Sequence, residues 1–372
     1  MTDLFTPIVE QDKLHPKFKF LLEPTYQNER EILNVWWNEF VLKDGKVKTI
    51  NEFQTTFHSM FWELYLNKVF LDSGYIIDEK VKSPDFFIHF NKHKISIEAV
   101  VANIAKDGDS EDKRTLQDAF GENDINQISD EAIVRLFNAI DYKNKKYFKN
   151  YKNNNDIESN PFTIAIADYG QINYGQSYIY AMLSLLYSAY YDPKDMTDLK
   201  ILCNDNFNRE YKFKEKHFKK NGGSLTIGLF QNKDYSHISA IIYSSTLTLG
   251  KLTSLSSNHF YPRFVLIDRD LPSFDLNEST IQVIRYSGSN PDEILNDGLF
   301  VFHNPLADKP LNDDFLKQKG ITHIRFNQDE DEPLTIEYNG LPPLKRRRVG
   351  YKGEENELIE NIADFNFFQI PK

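Results

Sequence analysis

Residues 55–101 read TTFHSMFWELYLNKVFLDSGYIIDEKVKSPDFFIHFNKHKISIEAVV, and a change of period inside this stretch decides the fold. Up to residue 72 the apolar residues Phe57, Phe61 and Leu64, with Met60, Tyr65 and Val69 on the neighbouring row, recur at helical spacing. Gly74 follows as a stop signal. The runs 75–78, 85–90 and 94–101 are then short and β-rich, separated by a connector containing Pro84 and by the polar turn Asn91-Lys92-His93. Three strands in such quick succession predict an antiparallel meander.

Downstream, a polar stretch at 106–127 precedes Ser129, which can cap an amphipathic helix running to about Lys152. After an Asn-rich connector, FTIAIADY at 162–169 is nearly all apolar, the pattern of a buried strand. The order across 51–170 is therefore helix, three-strand meander, helix, strand. Upstream, residues 1–50 read as a helical N-terminal segment that contains Trp36 and Trp37 and ends in the Asp44-Gly45 turn.

Residues 171–372 form a C-terminal α/β extension, for which a separate unit and continuity with the core are both compatible with the pattern. Within it, 177–191 predicts a buried helix, and 234–245 and 263–267 predict strands. The polar, Pro-containing tail from Gln328 predicts a loop, with a last helix over 356–368. The fold class expected is α/β.

Of the 372 residues 40% are hydrophobic, enough to bury one large core or two modest ones. Cys203 is the single cysteine, which excludes an internal disulfide framework and a cysteine metal cage, and points to a reducing cytoplasm. No run approaches about 18 uninterrupted apolar residues and no signal-peptide pattern opens the chain, so neither membrane insertion nor secretion is expected. The net charge of −11 argues against coating nucleic acid through the whole surface; any such contact must be local. Two segments concentrate positive charge: YKNKKYFKNYK at 142–152 and KRRR at 345–348. The first combines lysines with aromatics, a composition suited to phosphate contact and base stacking, with Lys145, Lys146 and Lys149 as candidate contacts. A solvated helix end accounts for it equally well. The second reads as a charged tail loop.

Three carboxylates sit where carboxylates are unusual. Glu63 lies between Trp62 and Leu64 in mid-helix, Asp85 opens a strand directly after Pro84, and Glu98 is embedded in ISIEAV. Acids are rarely buried unless paired or bound to metal. Asp85 and Glu98, thirteen residues apart on adjacent predicted strands, can meet at one end of the sheet. A hard divalent cation, Mg²⁺ or Mn²⁺, takes such oxygen ligands. The histidines form no metal-ligand spacing, Gly222-Gly223 lacks the remainder of a phosphate loop, and Asp234, Ser236 and His237 make no triad by spacing.

The sequence of elements and acids, Phe61-Trp62-Glu63, then Ser83-Pro84-Asp85-Phe86, then Ile97-Glu98-Ala99-Val100, resembles the PD-(D/E)XK nuclease superfamily. That resemblance implies a nuclease-like core at 51–170 and metal-assisted hydrolysis of a phosphodiester, of DNA before RNA. Glu63, Asp85 and Glu98 would be the metal ligands and catalytic acids. The family's lysine, two residues after the second acid, is replaced by Val100. On the downstream helix, Lys143 continues the apolar face of Ile133, Leu136, Phe137 and Ile140, and is the candidate for the displaced lysine; Lys146 is the second choice. By analogy the chain is similar to bacterial restriction or anti-phage defence effectors, which implies a homo-oligomer or a partner subunit. The alternative is a catalytically inactive nuclease-fold subunit that binds nucleic acid or assembles a complex.

Overall fold

The computed structural model describes residues 3–104, 125–171, 175, 177–190, 211–214, 216–218, 222–256, 264–270, 281–287, 293–330, 332–352 and 357–362. Cys203 and most of the polar stretch 106–127 lie outside them.

Four helices open the chain: α1 (Pro16–Leu22), α2 (Gln27–Asn38), α3 (Lys46–Thr55) and α4 (Phe57–Asp72). The fourth is apolar on nearly every side, and a helix of that kind must be covered all round. Here α2 and α3 cover one side and the sheet the other, so the N-terminal segment is a lid on the core helix. Trp62 shows how tight the inner contact is: its indole Nε1 donates to Ala165 O in the sheet at 3.1 Å. The helix ends as Gly74 adopts φ +77°, with Gly74 N–H donating to Leu71 O and Tyr75 N–H to Phe70 O. This paired closure satisfies the last carbonyls and needs a residue without Cβ at the left-handed position.

The strands follow in the order read from the sequence: β1 (Ile76–Ile77), β2 (Phe86–Phe90) and β3 (His93–Asn103), paired antiparallel, with Asn91 at φ 54° in the tight turn between the last two. Then come α5 (Ile125–Asn150), the single turn α6 (Asn155–Glu158) and β4 (Phe162–Tyr169), which lies parallel to β3. Beyond β4 are α7 (Tyr180–Tyr187), the short pairs β5 (Ala189–Tyr190) with β6 (Lys212–Phe213) and β7 (Lys216–Phe218) with β8 (Ser224–Thr226), then β9 (Ala240–Ser244) and α8 (Leu249–Leu255). The last strands are β10 (Phe264–Asp270), β11 (Ile281–Ser287), β12 (Leu299–His303), β13 (Ile321–Phe326), β14 (Leu334–Glu337), β15 (Pro343–Lys352) and β16 (Glu357–Ile362).

Eight of these strands make one mixed sheet, in the order β1-β2-β3-β4-β9-β12-β13-β14. The architecture is α/β, with helices on both faces. Alternation along the strands sorts the two cores: Ala165, Ala167 and Ile242 face α4 and the N-terminal helices, whereas Ile164, Ile166 and Tyr243 face α5 and α7. Strands β4, β9 and β12 are covered on both faces, which is why they are nearly all apolar rather than alternating. The sheet crosses residue 170 without interruption, since β9 pairs parallel with β4.

Two sequence expectations are corrected. The strand expected at 234–245 is shorter, because Lys233–Tyr235 closes a 3-10 turn capped by Asn232 before β9 begins. In the tail expected as loop and helix the described residues instead form β14, β15 and β16, and positions 363–368 of the expected helix lie outside them; β15 pairs with β10 on one side and β16 on the other in a four-stranded sheet with β11. Charge and proline mask the extended pattern there, and pairing with β10, far away in sequence, overrides local propensity. Among the described residues no helix is long and apolar enough to cross a membrane.

Candidate functional site

The β2–β3 register places the first two acids. Phe86 pairs with Ile97, and one further step of the same antiparallel register sets Asp85 opposite Glu98. The thirteen-residue spacing is thus that of a cross-strand pair. Ile95, Ile97 and Ala99 face α4, so Glu98 faces α5, where it is fully buried. Asp85 Oδ2 accepts the Ala99 N–H at 2.8 Å, which fastens the strand opening to β3.

From α5, Lys143 reaches both acids: its Nζ donates to Glu98 Oε2 and lies 3.3 Å from Asp85 Oδ2. An ammonium from α5 thus sits against the cross-strand pair of acids. Lys146, the second choice for the displaced lysine and also a candidate phosphate contact, faces the acids and donates to Glu98 Oε1 and Oε2 at 2.7 and 2.8 Å. One turn later the Tyr151 hydroxyl donates to Glu98 Oε1 and meets Ser83 Oγ. Lys145 and Lys149 remain on the exposed side of α5, Lys145 paired with Asp141 at 2.6 Å.

The electrostatics follow from this seating. Burial pushes the Glu98 carboxyl up, but Lys143, Lys146 and Tyr151 outweigh it and hold Glu98 below the usual carboxylate range. Burial and the neighbouring Glu98 raise Asp85. Lys143 is pulled down by burial, yet Asp85 and Glu98 reverse the sign, and it stays charged.

Glu63 stands apart from this trio. It projects from α4, on the other face of the sheet from Glu98, and lines a pocket of about 90 Å³ with Asp85, Lys43, Lys82 and Met60. Burial first, and Asp85 second, push its carboxyl up to about 8. Among the described residues it has no hydrogen-bond or ion-pair partner. The single shell of three acids expected from the sequence is therefore divided: Glu63 shares a pocket with Asp85, and Asp85 shares Lys143 with Glu98. Among the described residues no group of three His, Cys, Asp or Glu side chains is arranged to hold a metal ion.

Two residues of the site escape sequence reading. Lys43, from the turn before α3, donates to Pro84 O at 3.1 Å and is lowered by burial, with Asp85 opposing. Nothing in its local sequence marks it. Tyr151 did carry a signal, since it extends the stripe of Ile140, Lys143 and Tyr147 at helical spacing.

The KRRR segment acquires a different role. Arg346 in β15 is fully buried, and its guanidinium donates through Nε to both oxygens of Glu293 at 3.0 and 2.9 Å, through Nη2 to Glu293 and through Nη1 to Thr246 O. Lys251 of α8 donates to the same carboxylate at 3.1 Å and to Asp297 O at 2.7 Å. Burial pushes Glu293 up, but Arg346 and Lys251 prevail and hold it at about 2. This is a structural ion cluster that ties β15 to the core; Arg346 is not available to grip a nucleic-acid backbone.

Comparison with family models, with curated proteins and with solved structures finds no match to this chain.

Proposed function

We propose that the chain is a divalent-metal-dependent nuclease with a PD-(D/E)XK-like core. The observation that carries this reading is Lys143: an ammonium delivered from α5 into contact with both Asp85 and Glu98, where the sequence motif lacks its lysine. The helix, antiparallel meander, helix and parallel strand around it support the same reading.

The donor set fits a hard cation in part. Glu63 and Asp85 offer desolvated oxygens, both with raised pKa, the state expected of carboxyls that await positive charge. Mg²⁺ or Mn²⁺ would be held by Asp85 with Glu63, which share a pocket, with Glu98 acting through Lys143, and would supply Lewis acidity toward a phosphate and a more acidic bound water. Lys143 offsets charge developing on the phosphate, and its bond to Glu98 fixes the ammonium in place. Tyr151 and Lys146 hold the Glu98 carboxylate in one orientation. Lys145 and Lys149, exposed on the same helix, are the candidate backbone contacts for DNA, or less favourably RNA. Action in a defence system, as a homo-oligomer or with a partner subunit, remains part of this proposal by analogy alone.

A second reading is favoured by one observation: Glu98 is already satisfied by two ammoniums and a hydroxyl. A carboxylate so occupied suits a nuclease-fold subunit that binds nucleic acid or assembles a complex without chemistry. Incubating the chain with plasmid DNA and with RNA, with Mg²⁺, Mn²⁺ or EDTA, separates the two. The nuclease reading expects divalent-dependent cleavage that Asp85→Asn and Glu98→Gln abolish. Cleavage absent under all conditions, or unchanged in both variants, sinks it.

A further inference from the structure

A second cavity among the described residues lies away from the acids. A cleft of about 1050 Å³ opens between the C-terminal half of α5, strand β8 and the turns before β9. That volume is at the upper end of small-molecule sites. Its walls have a particular chemistry. Tyr147, Phe148 and His237 form a continuous aromatic surface, with the His237 ring 4.3 Å from Tyr147 and 4.8 Å from Phe148, centroid to centroid. Phe148 is 47% exposed, an unusual state for a phenyl ring beside a cleft. Lys152 stands 5.4 Å over the same ring.

Two residues of the cleft wall, Asn144 and His237, each carry a buried polar atom, Oδ1 and Nε2, without a hydrogen-bond partner among the described residues. Such groups cost free energy unless a ligand or water satisfies them. Burial keeps the His237 imidazole neutral, down at about 4, so it presents one donor and one acceptor. The charges on the walls balance: Lys152, Lys233 and Lys309 face Glu158, Asp234 and Asp308. A polyanion gains little from such a surface, whereas a flat heteroaromatic ring with N–H donors and ring-nitrogen acceptors matches it.

We propose that this cleft is a nucleobase site. The base stacks on Phe148, with Asn144 and His237 as its polar neighbours in the wall, while Lys152 meets a phosphate beside it. The base belongs either to a free nucleotide or to one residue of a single strand. The site is independent of the acid cluster and does not rest on nuclease chemistry.

The test is equilibrium binding to the full chain in EDTA, which keeps any cleavage out of the measurement. The probes are the nucleoside 5′-monophosphates and eight-nucleotide single-stranded DNA and RNA. Saturable binding of at least one probe is expected, weakened about 5- to 100-fold by Phe148→Ala and by Asn144→Ala, and retained in Phe148→Trp. Binding of the monophosphates assigns a free nucleotide; binding of the oligonucleotides alone assigns a strand. No binding up to about 1 mM of any probe overturns the site. So does binding that neither alanine variant weakens, or loss of binding that merely follows a fall in melting temperature while Phe148→Trp fails to restore it.

Discussion

Lys143 of α5 and Glu98 of β3, 45 residues apart in sequence, form a buried ion pair across the helix–sheet interface. Its removal has a structural and a chemical consequence. In Lys143→Met, Glu98 keeps Lys146 and Tyr151, so the loss of stability falls near the low end for breaking a buried pair, roughly 3 kcal/mol. Urea denaturation measures it. If the site is catalytic, the same variant loses at least about 100-fold of divalent-dependent cleavage at a temperature where it remains folded. A folded Lys143→Met with full cleavage would remove the lysine from the mechanism.

Tyr151 separates orientation from charge. Tyr151→Phe keeps the ring against Phe162 but deletes the hydroxyl that donates to Glu98. A hydrogen bond to a charged group sets the expected cost at about 1.5–2 kcal/mol. Because Glu98 then ionises less readily, its signal in a carboxyl NMR titration should move upward. An unshifted titration would mean that the two lysines alone fix the carboxylate.

Arg346→Met leaves Glu293 buried with Lys251 as its one remaining cationic partner among the described residues. The expected loss is about 3–5 kcal/mol. Nucleic-acid affinity, measured at several salt concentrations in whatever fraction stays folded, should keep its wild-type salt slope, since this guanidinium contacts no solvent. A reduced slope would return Arg346 to the surface.

A pair of buried histidines predicts the acid limb of stability. His323 Nε2 faces Leu316 O at 3.1 Å, which makes it the donor there and leaves Nδ1 to accept from His303 Nε2 at 2.9 Å. Both rings are thus neutral, and burial holds His303 down at about 3, with Arg325 adding to it. The unfolded chain takes up the proton near pH 6.5, the folded chain near 3. Stability is therefore full above about pH 6.5 and declines as pH falls toward 3, by roughly 1.4 kcal/mol per pH unit for His303 alone. In the difference between wild type and His303→Gln, unfolding free energies from urea denaturation between pH 7 and 4 should show that slope. A flat difference would place the rings in solvent.

How far the sequence carries depends on the range of the forces involved. The segment from α4 to β4 was legible because each element announces its own period: helical rows in Phe57, Phe61 and Leu64, alternation and a tight Asn turn in β2 and β3, a nearly continuous apolar run in β4. Lys143 was legible for the same reason, as a continuation of the Ile140 row. Strands β12 and β13 lie outside the elements read from the sequence, and β15 was misread, because its residues are charged and its partner β10 lies some eighty positions away. The site followed the same division. A register places Asp85 against Glu98, and counting residues finds it; a fold places Lys43 under Pro84 and Arg346 on Glu293, and no local count finds either.

One helix, α5, serves as a party wall between two rooms. Lys143 and Lys146 look into the chamber of the acids, while Asn144, Tyr147 and Phe148 furnish the aromatic cleft, so neighbouring positions answer to different tenants. Lengthening or rotating this helix to improve one room would disturb the other, and variation along its C-terminal half must proceed by exchanges that suit each room separately.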